Sequence, residues 1–388
     1  MSSNWKNVAV LAIAQALMMS AGTMVVFIGG IIGADLAPKP GWATLPVASI
    51  VVGTAVSSIP VALSMRKYGR KKIFIFIASV AVLAGLLSAY SILIESFYLL
   101  CFSFVILGIG VSSVNQFRFA AMESVAHDKM PIAASAVLFG GIFAGYIGPQ
   151  IAAEGQFILS SEYAGSFILL AVVFLLGAVM LSQFKNVESN EEAIDAEGRD
   201  LVQIVKQPIF LVAALSSVVG YGVMSFIMTA TPISMHEVDG HAFHHTKWVI
   251  QSHIIAMFLP SLITPWLIKK WGNNKIIIAG VVIYAMCILI AFTGKELSNY
   301  WISLILLGLG WNFLFLGGTT LLPNVYRKGE QFKVQATNDF LVFGMQAIAS
   351  LSAGFVVFTF GWKIVIASMV PMLLIPLIAI LYLKASKK

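Results

Sequence analysis

Long runs of apolar residues dominate the chain, and short polar or turn-rich breaks separate them. Most runs contain about twenty residues or more, which is the length a helix needs to cross the roughly 30 Å apolar core of a bilayer. The pattern predicts an all-α membrane protein with twelve transmembrane helices. The predicted spans are residues 8–33, 42–65, 73–94, 97–122, 131–153, 164–184, 208–235, 248–268, 275–292, 299–322, 334–359 and 362–383.

The composition supports this fold class. Of the 388 residues, 59% are hydrophobic and 11% are charged, against roughly 25% charged in an ordinary soluble domain. Neither a Gly-rich phosphate loop, nor a paired-cysteine metal motif, nor a nucleophile elbow occurs in the sequence. We therefore expect neither an enzyme nor an ATP-driven pump, and no cofactor or bound metal.

The formal charge of +7 arises from basic residues in short clusters between the apolar runs. Because these residues do not form one polar face, nucleic acid is not an expected partner. With the N-terminus in the cytoplasm, four of the 24 lysines and arginines lie outside, namely Lys39, Lys247, Lys295 and Lys363. This asymmetry predicts that both termini are cytoplasmic.

Three sequence landmarks in the first half recur in the same order about 200 residues later. The pairs are 68–72 with 271–275, 107–110 with 307–310, and 139–140 with 343–344. The duplication predicts two pseudo-symmetric six-helix bundles, residues 1–184 and 208–388, joined by an acidic cytoplasmic linker, residues 185–207. Such halves are typical of alternating-access carriers, whose substrate lies near mid-membrane where the halves meet.

Residues 62–72 resemble the signature loop of the major facilitator superfamily, including its glycine and basic tail. They depart from it at Ala62, which replaces a glycine, and at Arg66, which replaces the acidic residue that helps to close the family's inner gate. Residues 141–149 are similar to the glycine-proline motif of facilitator antiporters, which permits close helix approach. The resemblance implies the twelve-helix fold of that superfamily.

A second resemblance concerns residues 229–236 and 249–253, together with 116–121 and 334–340. These stretches are similar to a bacterial subgroup of the superfamily, some members of which are linked to riboflavin uptake. The subgroup implies import and a location in the bacterial inner membrane, whereas the glycine-proline motif implies export.

Arg118 is a basic residue within an apolar span, beside Asn115 and Gln116. A buried charge is costly unless it has a function or a partner, and an arginine is suited to forked hydrogen bonds with an anionic group. The alternatives are that Arg118 extends to the inner surface or pairs with Glu123, five residues further on.

Three further positions predict proton coupling or gating. His253 lies in the eighth span, and imidazole changes charge near neutral pH. Asp339, beside Asn338, lies near the start of the eleventh span, and Glu123 lies at the end of the fourth. The alternatives are a hydrogen-bonded histidine near the outer rim, and capping of the eleventh helix by Asp339.

The family resemblance implies that the first, fourth, seventh and tenth spans line a cavity. Its uncharged, aromatic composition favours a flat or amphiphilic organic solute, although each aromatic taken singly is more often a packing residue. The candidate substrate-binding residues are Gln15, Thr23, Asn115, Gln116, Arg118, Tyr221, Ser225, Trp311 and Asn312.

Five of the six histidines lie between His236 and His253. In a continuous helix, Glu237, His241 and His245 would share one face and suggest a metal site, but Gly240 argues against such a helix. A gate, a pH-sensitive loop and an ordinary loop are the alternatives, and we predict no metal.

Together these features predict a monomeric secondary transporter that moves a small organic solute, a riboflavin-like vitamin or a siderophore-type compound among the possibilities, by alternating access. The expected partners are this solute, the lipid bilayer and protons, and import is slightly favoured. The alternatives are a drug or metabolite efflux antiporter and, in another class, a non-transporting sensor on a carrier fold.

Overall fold

The computed structural model describes residues 4–39, 42–187, 199–327 and 329–386, without the side chains of 236–238 and 243. Over these residues the regular secondary structure is entirely helical. Eleven described helices are long and apolar enough to cross a membrane, or twelve when one bent pair counts as a span. The predicted all-α membrane fold is therefore confirmed.

The chain divides into two compact units, Met1–Ser189 and Asn190–Lys388, called unit 1 and unit 2. Most of the predicted linker, residues 188–198 with Glu188, Glu191, Glu192, Asp195 and Glu197, lies outside the described residues. The domain limits at 184 and 208 therefore stay a prediction.

In unit 1, the spans follow the predicted order with slightly different ends. The first is interrupted at Met19, between helices Trp5–Met18 and Ser20–Leu36, and the fourth at Gln116, between Phe97–Asn115 and Phe117–Glu123. The six spans are Trp5–Leu36, Leu45–Tyr68, Arg70–Leu93, Phe97–Glu123, His127–Gly155 and Ala164–Ser182.

In unit 2, a short helix, Leu201–Val205, precedes the seventh span. That span begins with helix Pro208–Pro232 and continues into a π-helical segment, Ile233–Val238. The six spans are Pro208–Met235, the pair His244–Leu262 with Thr264–Trp271, then Asn273–Thr293, Leu297–Asn324, Gln331–Phe360 and Trp362–Ala385.

The eighth span, predicted as one continuous helix over 248–268, is broken. Its two parts meet at an angle of 51°, and the break contains a 3₁₀ turn, Leu259–Leu262. Pro260 and Pro265 lack the N–H group that a continuous helix needs, and Thr264 Oγ1 donates to the Pro260 carbonyl over 2.8 Å.

Matching glycines permit a close helix crossing in each unit. A Cβ on Gly108 would clash with the backbone of Ile50 in the second span, and one on Gly308 would lie 2.7 Å from the His253 carbonyl in the eighth. The spans therefore cross in corresponding ways in the two units, with Ile50 and His253 in equivalent places.

Candidate functional site

Arg70 and Glu123 form a forked ion pair in unit 1, at the end that the basic residues predict to face the cytoplasm, which we call the inner end. Arg70 Nη2 lies 2.7 Å from Glu123 Oε1, and Nε lies 2.9 Å from Oε2. The side chains are 6% and 21% exposed. A charge-assisted pair of this geometry is strong. Glu123 is one of the residues predicted from the sequence to take part in proton coupling or gating, whereas Arg70 is not among the predicted site residues.

Two substrate candidates lie beside this pair. Gln116 Oε1 accepts a hydrogen bond of 3.4 Å from Arg70 Nη1, so it belongs to the same cluster. Arg118 is 2% exposed, donates from Nη1 to the Asn115 carbonyl over 2.7 Å and lies 4.4 Å above the Phe119 ring. Because Arg118 is buried, the alternative that it extends to the inner surface is wrong.

Gln15 and Thr23, both in the first span, differ in how their polar atoms are used. Gln15 is buried, with Nε2 3.0 Å from Met19 Sδ, while its Oε1 has no hydrogen-bond partner among the described residues. Thr23 Oγ1 lies 2.7 Å from the Ala144 carbonyl in the fifth span, where Gly148 leaves room for it. Thr23 therefore fastens a helix crossing, whereas Gln15 presents an open acceptor.

Unit 2 contains a cluster of five buried aromatic rings, Tyr221, Phe258, Trp311, Phe315 and Phe343, which we call the aromatic cluster. The Tyr221 ring lies edge-on to three others, with centroid distances of 5.3 Å to Trp311, 4.9 Å to Phe315 and 5.3 Å to Phe343. Trp311 stacks on Phe315 at 5.1 Å. With Phe258, whose ring lies edge-on to Trp311 at 5.5 Å, these contacts connect four spans. Edge-to-face pairs of this kind are favourable beyond the area they bury.

The side chain of Asn312, in the tenth span, bonds to residues at the break in the eighth span. Its Nδ2 donates to the Met257 carbonyl and to Ser261 Oγ, each over 2.8 Å, and its Oδ1 accepts from Thr264 Oγ1 over 2.8 Å. The amide thus satisfies groups that the broken helix leaves open. Ser225, by contrast, is buried, and its Oγ makes a weak 3.9 Å contact with Met224 Sδ.

His253 is fully buried, and its Nδ1 lies 2.8 Å from the Leu304 carbonyl. A carbonyl only accepts, so Nδ1 carries the proton in this contact. Nε2 is buried and has no hydrogen-bond partner among the described residues. The alternative of a histidine at the outer rim does not agree with this complete burial.

Asn338 and Asp339 are buried in the eleventh span. The helix begins at Gln331, so Asp339 lies two turns inside it and the capping alternative is wrong. Asn338 Nδ2 donates to Asp339 Oδ1 over 3.1 Å, while Asn338 Oδ1 has no hydrogen-bond partner in the described part of the chain.

The histidine-rich segment is not one continuous helix, because Gly240 has a φ of 70° and the next helix begins at Phe243. The side chains of His236 and Glu237 lie outside the described residues. Asp239 forms an ion pair of 2.8 Å with Lys295 and accepts 2.6 Å from the Tyr300 hydroxyl. The segment is therefore fastened to the start of the tenth span.

A further ion pair, which sequence reasoning missed, lies at the inner end of unit 2. Arg199 Nη2 and Glu330 Oε2 are 2.6 Å apart, and Arg199 also donates to the Val325 carbonyl over 2.9 Å. Hydrogen bonds from the Arg199 side chain lower the Glu330 pKa to about 2, and bonds from the backbone N–H groups of Arg327 and Arg199 act in the same direction. Arg199, the first described residue after 188–198, is thereby held against the residues that precede the eleventh span.

Two units of this kind, each built from apolar spans with polar and aromatic side chains buried between them, define a multi-pass membrane transporter. The chain belongs to the Major Facilitator Superfamily, because the sequence model of that family matches residues 11–242. Its cargo is accordingly a small molecule that crosses a membrane.

The relatives support this assignment over the whole chain. The riboflavin transporter RfnT of Brucella anthropi is 36% identical over 379 residues, covering 96% of this chain and 95% of that protein. Among solved structures, the human organic anion transporter MFSD10 matches with a TM-score of 0.76 at 12% identity, covering 96% of this chain and 98% of that one. A bacterial homologue of the iron transporter ferroportin, in an outward-facing state, matches with a TM-score of 0.74 at 15% identity, covering 98% and 99%. At these identities the two structures show the fold alone.

Proposed function

We propose that the protein is a secondary active transporter of a bacterial inner membrane that imports riboflavin or a closely related planar compound. The observation that carries this proposal is the 36% identity to a riboflavin transporter over nearly the full length of both chains. The aromatic cluster supports it, because a flat ring system gains binding area from stacked and edge-on aromatic side chains.

Transport proceeds by alternating access between an N-terminal and a C-terminal six-helix bundle in a monomer with both termini in the cytoplasm. The duplicated landmarks and the distribution of basic residues support this mechanism. Gln15 and Arg118 in unit 1, and Tyr221, Ser225 and Trp311 in unit 2, are the substrate residues that we favour. Thr23 and Asn312 are positioning residues, since their polar atoms already bond to neighbouring helices.

Protons drive this import, and His253 is the coupling residue that we favour over Glu123 and Asp339. In unit 1, the equivalent helix crossing contains Ile50, so the crossing itself does not require an imidazole. With Nδ1–H bonded to the Leu304 carbonyl, the buried Nε2 lone pair is where a proton would bind. The titratable residues on its own helix, Phe243–Phe258, are His244, His245 and Lys247. Three elements pack against that helix: the tenth span contains Tyr300, the π-helical segment contains His236 and Glu237, and the 3₁₀ turn Leu259–Leu262 contains no titratable residue.

Purified full-length protein in proteoliposomes tests the function. We expect saturable riboflavin uptake, counterflow of labelled riboflavin against unlabelled, and stimulation by an acidic exterior. Absence of riboflavin flux would contradict the proposal, and tight binding without flux would instead establish a sensor.

Export is the second candidate, favoured by the close crossing at the glycine-proline motif, where Gly148 meets Thr23. Cells that express the protein distinguish the two directions. Import predicts riboflavin accumulation in cells unable to synthesise it, whereas export predicts faster loss of preloaded riboflavin.

A further inference from the structure

Two rings of the aromatic cluster, Trp311 and Phe315, have no aromatic equivalent at the matched positions of unit 1. The landmark pair 107–110 and 307–310 aligns Trp311 with Val111 and Phe315 with Asn115. Both units use a glycine of this landmark for the same close crossing. Since the crossing in unit 1 forms with a valine and an asparagine at these positions, helix packing does not require the two large rings.

The indole nitrogen of Trp311 gives a second, independent observation. Trp311 is fully buried, and its Nε1 has no hydrogen-bond partner among the described residues. Burying an N–H without an acceptor is unfavourable, and a buried tryptophan usually finds one. A phenylalanine would fill a ring site without that penalty, so the N–H indicates a ligand rather than packing.

The rings around the indole define the shape of that ligand. Phe315 lies nearly parallel to Trp311, with 22° between the planes, whereas Tyr221 and Phe258 approach it edge-on at 77° and 79°. A planar ring system that replaces one of these contacts would gain stacking on one side and edge contacts on the other. An acceptor at the edge of the ligand ring would accept a hydrogen bond from the indole N–H of Trp311.

We infer that the aromatic cluster of unit 2 binds the planar heteroaromatic ring of the transported solute, with Trp311 Nε1–H donating to a carbonyl oxygen or ring nitrogen at its edge. This inference rests on the proposed function and adds which part of the solute unit 2 recognises. The isoalloxazine ring of a flavin has such carbonyl groups, whereas its ribityl chain offers hydroxyls and no ring.

Lumichrome, the flavin ring without the ribityl chain, is the probe that isolates ring recognition. When lumichrome or riboflavin is titrated with the purified full-length protein, the fluorescence of each should be quenched on binding. Ribitol should not compete with either. Trp311→Phe keeps a ring and removes the N–H, so we expect the Kd for lumichrome to rise about tenfold, the scale of one hydrogen bond. Trp301→Phe is the matched control, because Trp301 lies in the same span with Nε1 already bonded to Ser252 over 3.0 Å.

Two outcomes would overturn the inference: lumichrome that fails to bind, or an unchanged lumichrome Kd in Trp311→Phe. If Trp311→Phe does not fold, Phe315→Leu replaces it, with Phe313→Leu as control. Phe315→Leu should raise the Kd several-fold, and equal affinities in this pair would also overturn the inference. Riboflavin flux separates the two proposals. If riboflavin is transported but Trp311→Phe leaves the lumichrome Kd unchanged, the inference alone is wrong. If riboflavin is not transported but lumichrome binding depends on Trp311, the proposed cargo alone is wrong.

Discussion

The inner ends of the two units use the same joint with different chemistry. Each joint begins with a glycine of left-handed backbone, Gly69 with a φ of 83° and Gly272 with a φ of 82°. The next residue then fastens the new helix to the span that follows it. In unit 1 that residue is Arg70, bonded twice to Glu123. In unit 2 it is Asn273, which donates to the Gly317 carbonyl over 2.9 Å and to Thr320 Oγ1 over 2.6 Å.

This difference shows that the repeated fold fixes where a contact is made and leaves its chemistry open. Unit 1 has the charged joint, and unit 2 has the neutral joint together with the aromatic cluster. Removing one partner of a partly buried ion pair is costly, because the other ion stays desolvated. A neutral joint loses only hydrogen bonds.

Removing one partner of the charged joint should destabilise the protein more than any other change considered below. Arg70→Ala leaves the Glu123 carboxylate without the two bonds of its ion pair, and we expect a loss of about 4 kcal/mol in unfolding free energy. Asn273→Ala, the matched change in unit 2, should cost about 1 kcal/mol. Thermal unfolding in detergent measures both. Equal losses would show that charge does not distinguish the two joints.

Unit 2 also has a charged contact, the ion pair between Arg199 and Glu330. The Glu330 pKa falls from 4.5 to about 2 through its bonds with Arg199, which corresponds to about 3 kcal/mol of stability. Glu330→Gln should lose most of this at pH 7 and lower the Tm by about 5–10 °C. Because the folded pKa is the lower one, the contribution is complete above pH 4.5 and is lost as the pH falls towards 2. The Tm gap to wild type should therefore be constant from about pH 6 to 8 and narrow near pH 3, and a gap unchanged at pH 3 would contradict the assignment.

A smaller effect tests why the eighth span is broken while the second, Leu45–Tyr68, is continuous. Asn312→Leu removes the amide that bonds Met257, Ser261 and Thr264. We expect a loss of about 2 kcal/mol, since buried polar groups are left without partners. Ser112→Ala, at the aligned position of unit 1, is the control and should change stability by less than about 1 kcal/mol. A tolerated Asn312→Leu would mean that the break does not depend on this amide.

The fold was predictable because each span is determined by a run of consecutive apolar residues. The contacts of the site join residues that are far apart in the sequence, so no local pattern predicts them. An ion pair joins Glu123 to Arg70, 53 positions away, and no local pattern in the sequence links these two residues. Arg199 and Glu330 are 131 positions apart, and no local pattern links them. A span that begins at 334 places Asp339 near its start and suggests that Asp339 caps the helix, whereas the helix begins at Gln331. Periodicity locates helices to within a few residues, and a few residues decide whether an acid caps a helix or lies buried inside it.

Replacing His253 should cost little stability, and it tests a side chain that unit 2 has and unit 1 lacks at the matched position. His253→Ile gives unit 2 the residue that unit 1 has at Ile50, so the Tm should stay within about 2 °C of wild type, as for a loss under 0.5 kcal/mol. If Nε2 is the proton site, this variant should retain riboflavin counterflow, which needs no net proton movement, and lose the stimulation of uptake by an acidic exterior. Ile50→Val, which alters the matched position without removing a titratable group, should keep that stimulation. If gradient-driven uptake persists in His253→Ile, another residue couples transport to protons. Asp339 is then the next residue to replace, because it is likewise a titratable side chain buried inside a span.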